Sequence, residues 1–147
     1  MALNLLYIIK RYIPKTKKMD LPIDGNLKYK GEPLIGESTT LAGLILSLLF
    51  SIIFFIYFNN PIWTLIPVLV YLGHLSGSFI KRRMHKKGGE FVPFVDHGDY
   101  VVLTGIVFFM LNFISLKFFI FSILLTYLLH PVVCFLAFRL KIREYPY

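Results

Sequence analysis

Cysteine and acidic residues are the two things this chain is short of. Cys134 is alone, so no disulfide can form within the chain, and its place in an apolar run reads as a small buried residue. Charge is scarce altogether: 16% of the 147 residues are charged, against 56% hydrophobic and 17% aromatic, with a mean hydropathy of +0.68. That balance excludes an ordinary soluble domain. Eight acidic residues stand against 16 basic ones, for a net charge of +8. Such an excess suits nucleic acid only when it covers a water-exposed face. Here the cations fall in short segments between apolar runs, which points to anionic lipid and phosphate and away from nucleic acid. No Gly-Lys-Ser or Gly-Lys-Thr occurs, so a Walker loop is excluded. Met1 to Ile9 is apolar but too short to span a bilayer, and no signal-cleavage pattern follows it; it reads as a short interfacial or re-entrant helix.

Long uncharged runs are present in place of charge. Leu41-Phe58, Pro61-Ile80, Tyr100-Leu116 and Phe118-Phe138 contain no Asp, Glu, Lys or Arg, and their lengths of 18, 20, 17 and 21 residues suit a hydrocarbon core of about 30 Å at about 1.5 Å per helical residue. Helix is the state that satisfies the backbone of such spans in lipid. The expected architecture is therefore an all-α, polytopic membrane protein with about four transmembrane helices, forming a single membrane-embedded domain over residues 1–147. Fifteen of the 16 Lys and Arg, and all eight acidic residues, lie on one side of that arrangement. The positive-inside rule makes that side cytoplasmic, with the charged loops and the C-terminus facing nucleotide triphosphates.

The most charged stretch between two spans is Ser78 to Tyr100. Its first part carries Lys81, Arg82, Arg83, Lys86 and Lys87; then come Gly88-Gly89, Pro93, and two carboxylates at i, i+3, Asp96 and Asp99. If the second helix continues past Ile80, Ser78, Lys81 and Arg82 share one face. Ser78 could then hydrogen-bond a phosphate that Lys81 and Arg82 neutralise, although Lys81, Arg82 and Arg83 equally fit the basic flank that ends any span. Carboxylates at a helix N-terminus are favoured by the helix dipole alone. Two of them opposite five cations also match the way Mg²⁺ is held, by one or two carboxylates and substrate phosphates. His74, Gly73, Ser76, Gly77 and Ser78 lie in the preceding span, where the small residues allow close helix packing. His74 reads first as a packed residue and second as a metal ligand. Upstream, residues 20–43 combine four glycines with Ser38, Thr39 and Thr40 just before the first long span. That loop reads either as an anion cradle or as a polar loop in which Ser38 or Thr39 caps the helix.

Ser78-Phe79-Ile80-Lys81-Arg82-Arg83, the Gly-containing turn, Pro93 and Asp96-x-x-Asp99-Tyr100 together resemble the signature of the CDP-archaeol synthase family, the archaeal branch of the CDP-diglyceride synthetase superfamily. Pro22-Ile23-Asp24, Gly31, Leu34-Ile35-Gly36, Thr40 and Gly43 follow the same family's pattern in order. Thr39-Thr40-Leu41-Ala42-Gly43 stands where the family usually shows Lys-Thr-Trp-Arg-Gly, His97 where it commonly has Gln, and Glu37 where Asp is usual.

The resemblance implies transfer of a cytidylyl group from CTP to the phosphate of an isoprenoid ether lipid, giving CDP-archaeol and pyrophosphate with one or two Mg²⁺ ions. It implies metal binding by Asp96 and Asp99, and phosphate or nucleotide binding by Ser78, Lys81, Arg82, Arg83, Gly36, Ser38 and Thr40. Lys81, Asp96 and Asp99 would be catalytic, and Asp24 would support the metal or nucleotide. Expected partners are CTP, the lipid phosphate and membrane lipids, with oligomerisation left open. Two alternatives use some of the same features. A CDP-alcohol phosphotransferase also clusters aspartates, though Asp24-Gly25-Asn26-Leu27 departs from its pattern. A diverged or non-catalytic relative would use the basic loops only to hold anionic lipid.

Overall fold

A computed structural model describes residues 21–36, 39–86 and 92–140. The segment Met1–Ile9, Glu37, Ser38, Gly88-Gly89 and the side chain of His97 lie outside that description. Two short strands, β1 (Lys28–Tyr29) and β2 (Glu32–Pro33), form an antiparallel hairpin, with Lys28 opposite Pro33 and Tyr29 opposite Glu32. Four helices follow: α1 (Leu41–Phe58), α2 (Leu65–Arg83), α3 (Pro93–Met110) and α4 (Leu116–Arg139).

Helix α1 starts and stops where its flanking residues dictate. Thr40 has an extended backbone and its hydroxyl accepts from the Gly43 N–H at 3.3 Å, so the cap is Thr40 rather than the Ser38 or Thr39 expected from sequence. Asn59 closes the helix in the left-handed conformation (φ 48°), which Asn tolerates better than most residues. The next span opens as a 3-10 turn, Pro61–Thr64, capped by the Asn60 side chain accepting from the Ile62 N–H at 3.0 Å. It runs on as α2 through Arg83, beyond the Ile80 boundary, because the basic side chains can project from the last turn without breaking the helix.

The third helix is displaced from its charge-free run. Pro93, at the first helical position, starts α3 seven residues before Tyr100, and the helix ends at Met110 rather than Leu116. Pro61–Arg83, α1 and α4 are long and apolar enough to cross a membrane; the apolar part of the third helix is the shorter Gly98–Met110. The chain is thus a helical membrane protein, and the acidic turn of α3 is built into the same helix as the apolar segment Gly98–Met110.

Glycines set how closely the helices meet. A Cβ on Gly73 would lie 2.6 Å from the Asp99 carbonyl oxygen and from Tyr100 Cα, so α2 and α3 touch backbone to backbone there. Gly77 presses equally closely on the Asp99 side chain. Of the small residues flagged in the sequence, Gly73 and Gly77 bring these helices together; Ser78 meets the loop before α1 instead, and Ser76 is exposed and donates to its own helix at Leu72 O. Helix α4 closes the other side of α3: Tyr127 Oη donates to Phe94 O at 2.9 Å, and Tyr100 Oη lies 3.1 Å from His130 Nδ1. Cys134 is buried on α4, as its apolar context suggested.

Candidate functional site

The C-terminal end of α2, the N-terminal end of α3 and the loop before α1 converge at one end of the bundle. Three contacts fix that convergence. Lys81 Nζ stands 2.6 Å from Asp96 Oδ1, joining α2 to α3 across the partly buried junction. Thr39 Oγ1 donates to Ser78 Oγ at 3.1 Å, joining the loop to α2; among the described residues these are the two most deeply buried polar side chains, each 1% exposed. Tyr71 Oη donates to Thr40 O at 3.0 Å from two helical turns further down α2.

The loop itself is organised by two opposite charges acting on one stretch of backbone. Asp24 is buried; its Oδ2 accepts from the Ile35 and Gly36 N–H groups at 2.9 and 3.1 Å, and its Oδ1 from the Asn26 N–H at 3.0 Å. Burial by itself raises the pKa of this carboxyl, but the converging backbone donors outweigh it and hold the carboxyl below its ordinary value. Arg82 is also buried and comes to the same turn from α2, donating from Nε to Ile35 O at 3.2 Å and from Nη1 to Lys86 O. Gly36 sits at φ 92°, with the Arg82 guanidinium so close that a Cβ there would lie 2.7 Å from Nε. Glycine is required at this position by conformation and by space alike.

Arg83 turns the other way. Its Nη2 donates to Pro33 O at 2.8 Å and its Nη1 to Tyr29 O at 3.3 Å, while the guanidinium lies over the Tyr29 and Phe79 rings. It fastens the β1–β2 hairpin to α2. The basic run therefore divides its labour: Lys81 faces the acidic turn of α3, Arg82 the Gly36 turn, and Arg83 the hairpin. The shared helical face expected for Ser78, Lys81 and Arg82 exists, but the three side chains meet different partners.

The two aspartates differ as well. Asp96 takes the Lys81 ammonium on Oδ1 and the Val92 N–H on Oδ2 at 2.7 Å, so it secures the start of α3. Asp99 is more deeply placed: its side chain is 8% exposed, wedged against Gly77, with Oδ1 accepting from the Tyr100 N–H and Oδ2 lying 3.8 Å from His74 Nδ1. Among the described residues no group of three His, Cys, Asp or Glu is gathered to hold a metal ion. A pair of carboxylates beside a cationic side chain is a donor set for a hard divalent ion that takes its remaining ligands from phosphate and water. Thr39 and Tyr71 escaped the sequence-based reading as partners of Ser78 and Thr40, since nothing in their local pattern signals a contact with a distant element.

A family model described as CarS-like, CDP-archaeol synthase, matches residues 18–147. The chain belongs to the CDP-archaeol synthase family. Curated CDP-archaeol synthases align along nearly its whole length: one from Sulfolobus acidocaldarius is 28% identical over 100% of this chain and 98% of its own, and one from Saccharolobus solfataricus is 30% identical over 99% and 98%. A CDP-archaeol synthase from Staphylothermus marinus is 29% identical over 78% of this chain and 72% of its own. Among solved structures, one described as an intramembrane enzyme for archaeal membrane lipids biosynthesis superposes with a TM-score of 0.67, covering 90% of both chains at 22% identity, which establishes the shared fold. Membership of the CDP-archaeol synthase family sets aside the CDP-alcohol phosphotransferase reading and gives the chain its enzyme class, a cytidylyltransferase of archaeal lipid biosynthesis.

Proposed function

We propose that this chain transfers the cytidylyl group of CTP to the phosphate of an isoprenoid ether lipid of the 2,3-di-O-geranylgeranylglyceryl type, at the junction of α2 and α3. The observation that carries the reading is the Lys81–Asp96 pair beside the recessed Asp99, at the end of the bundle where α2, α3 and the loop before α1 converge. In the reaction an oxygen of the lipid phosphate attacks the α-phosphorus of CTP. The bond from that phosphorus to the bridging oxygen breaks, and pyrophosphate leaves. The lipid phosphate is already an anionic nucleophile near neutral pH, so no Ser or Cys nucleophile is needed.

The protein's task is to bring two polyanions together and hold them in line. Lys81 can exchange the Asp96 carboxylate for a phosphate oxygen. Ser78 and Thr39, buried and bonded to each other, hold the loop against the same end of α2. Thr40, Gly36 and the neighbouring loop, braced by Asp24 and Arg82, set the position of backbone that borders it, and Ser38 lies in the same loop. Arg82 and Arg83 add positive potential without leaving the carbonyls they hold. Asp96 and Asp99 would bind one or two Mg²⁺ ions, whose chemistry is to neutralise the phosphates and the leaving pyrophosphate. The lipid chains would lie along the apolar flanks of the helices, with the charged loops and the C-terminus on the cytoplasmic side.

Purified protein in detergent, given labelled CTP, the ether-lipid phosphate and Mg²⁺, should incorporate label into lipid. Asp96→Asn and Asp99→Asn should each lower turnover by about 10² or more, the scale of losing one electrostatic stabiliser of the transition state. Full activity in either folded variant would remove the assignment of that residue. No labelled product from well-folded wild type, with this lipid or with phosphatidic acid, would overturn the transferase reading.

A further inference from the structure

His74 is the ionisable side chain in the middle of α2 that the proposed reaction leaves without a task. It projects towards α3 one turn below Ser78, and its Nδ1 lies 3.8 Å from Asp99 Oδ2. That distance is too long for a hydrogen bond. Its Nε2 is buried and has no hydrogen-bond partner among the described residues. A histidine satisfied by ordinary packing inside a membrane protein would have at least one ring nitrogen bonded, because an unpaired buried polar atom is destabilising. Gly77 meanwhile holds Asp99 where it stands, so the gap between the imidazole and the carboxylate is a built feature of the α2–α3 contact.

The spacing has a chemical reading. Two donors that bind one octahedral ion at about 2.1 Å stand about 3.0 Å apart when adjacent and about 4.2 Å apart when opposite. The 3.8 Å between His74 and Asp99 falls inside that range. Resting on the assignment of Asp99 to a divalent ion, we infer that His74 is a nitrogen ligand to that ion, so that the site pairs one imidazole with carboxylate and phosphate oxygens. The consequence is a shift in ion preference. Mg²⁺ favours oxygen donors, whereas imidazole favours transition metals, so an imidazole-bearing site takes Mn²⁺ or Co²⁺ in preference to Mg²⁺ more strongly than an all-oxygen site would. Sequence alone ranked His74 as a packed residue ahead of a metal ligand; the Asp99 carboxylate facing its Nδ1 is what raises its standing.

The test uses Mn²⁺ alone, added to the purified wild-type protein in detergent and followed by electron paramagnetic resonance, with pulsed measurements on the bound ion to detect a directly coordinated ¹⁴N. His74→Ala, His74→Asp and Asp99→Asn are run beside it, each checked for folding by thermal unfolding. The expected result is nitrogen coupling in the wild type and none in either His74 variant. His74→Ala should weaken Mn²⁺ binding about 10-fold or more. His74→Asp should keep a bound ion but let Mg²⁺ displace Mn²⁺ about 10-fold more readily, since it restores an oxygen donor and keeps the proposal testable if the alanine variant folds poorly. Bound Mn²⁺ without nitrogen coupling, or coupling that survives in His74→Asp, would overturn the inference while leaving Asp99 as a ligand. Wild-type protein that binds no Mn²⁺ would overturn it together with the metal reading of Asp99, even if label transfer itself is observed.

Discussion

Helices α2 and α4 are both apolar enough to cross a bilayer, yet they serve opposite purposes. In the span Pro61–Arg83, 22% of residues in the most apolar window are buried inside the protein; in α4 the figure is 6%. The residues that α2 buries include Gly73, Gly77, Ser78 and Arg82, whereas α4 buries Cys134 and Ala137 and turns Leu124, Leu128, Val132 and Phe135 outward. Hydrophobicity drives a helix into lipid but gives no preference for one helix neighbour over another. Small residues and hydrogen bonds decide which surfaces meet, and here they decide that α2 meets α3. Polar groups are expensive at membrane depth, so those retained there are gathered between helices and mark function.

The strongest way to break that distinction is to fill the α2–α3 contact. In Gly73→Ala the new Cβ meets the Asp99 carbonyl and Tyr100 Cα, backbone atoms that cannot swing aside. The helices must separate, at a cost of about 1–3 kcal/mol, and the separation moves Asp99 away from α2. Turnover should fall sharply along with the thermal midpoint. Gly105→Ala makes a still tighter contact on the α4 side, but against the ring of Phe119, a side chain that can move aside. It should lower the midpoint less and leave turnover largely intact. Equal losses of turnover in the two variants would show that the α3–α4 contact supports the site as much as the α2–α3 contact does.

A smaller effect is expected where the loop is held rather than the helices. Arg82→Lys keeps the charge but cannot reach both Ile35 O and Lys86 O from one guanidinium plane. If Arg82 works by holding the Gly36 turn, KM for CTP should rise several-fold while Mn²⁺ binding at the proposed Asp99 site stays as it was. A loss of ion binding would instead place Arg82 within the metal site.

Charge and hydropathy made much of this legible in advance. Helix α1 matches its charge-free run because Thr40 and Asn59-Asn60 border it with capping residues. The third helix does not match its run, because a charge-free segment marks what lipid tolerates and not where a helix begins; Pro93 starts α3 upstream of its own acidic turn. Lys81 opposite Asp96 could be anticipated from the opposed charges across one loop. The contacts of Arg82, Arg83, Asp24 and His74 could not, since each depends on which distant backbone or side chain it meets. Three adjacent cations in sequence look alike until the Gly36 turn and the hairpin claim two of them.

The support that Asp24 gives the loop should also appear as a pH dependence. Its folded-state pKa is depressed, so the stabilisation is fully present above the ordinary Asp value of about 3.9 and is lost as pH falls through the lower, folded value. The difference in thermal midpoint between wild type and Asp24→Asn should therefore be steady from about pH 5 upward and shrink below about pH 4. Taking the difference between the two proteins removes the titration of the other carboxylates. A gap that stays constant down to the acid limit would mean that the Ile35 and Gly36 N–H groups bond an amide oxygen at this position as well as a carboxylate.

The smallest effect belongs to the lipid-facing side. Leu128 is 70% exposed on α4, with its side chain directed away from the other helices. In water such a leucine would be a liability, but in a bilayer its neighbours are acyl chains as apolar as itself. Leu128→Ala removes no packing inside the protein, so it should shift stability by no more than about 0.5 kcal/mol, as surface substitutions usually do, and leave turnover unchanged in detergent. A loss well beyond that would mean that this face of α4 packs against protein rather than lipid. The contrast between α2 and α4 would then be one between two kinds of protein contact, with the second made to another chain.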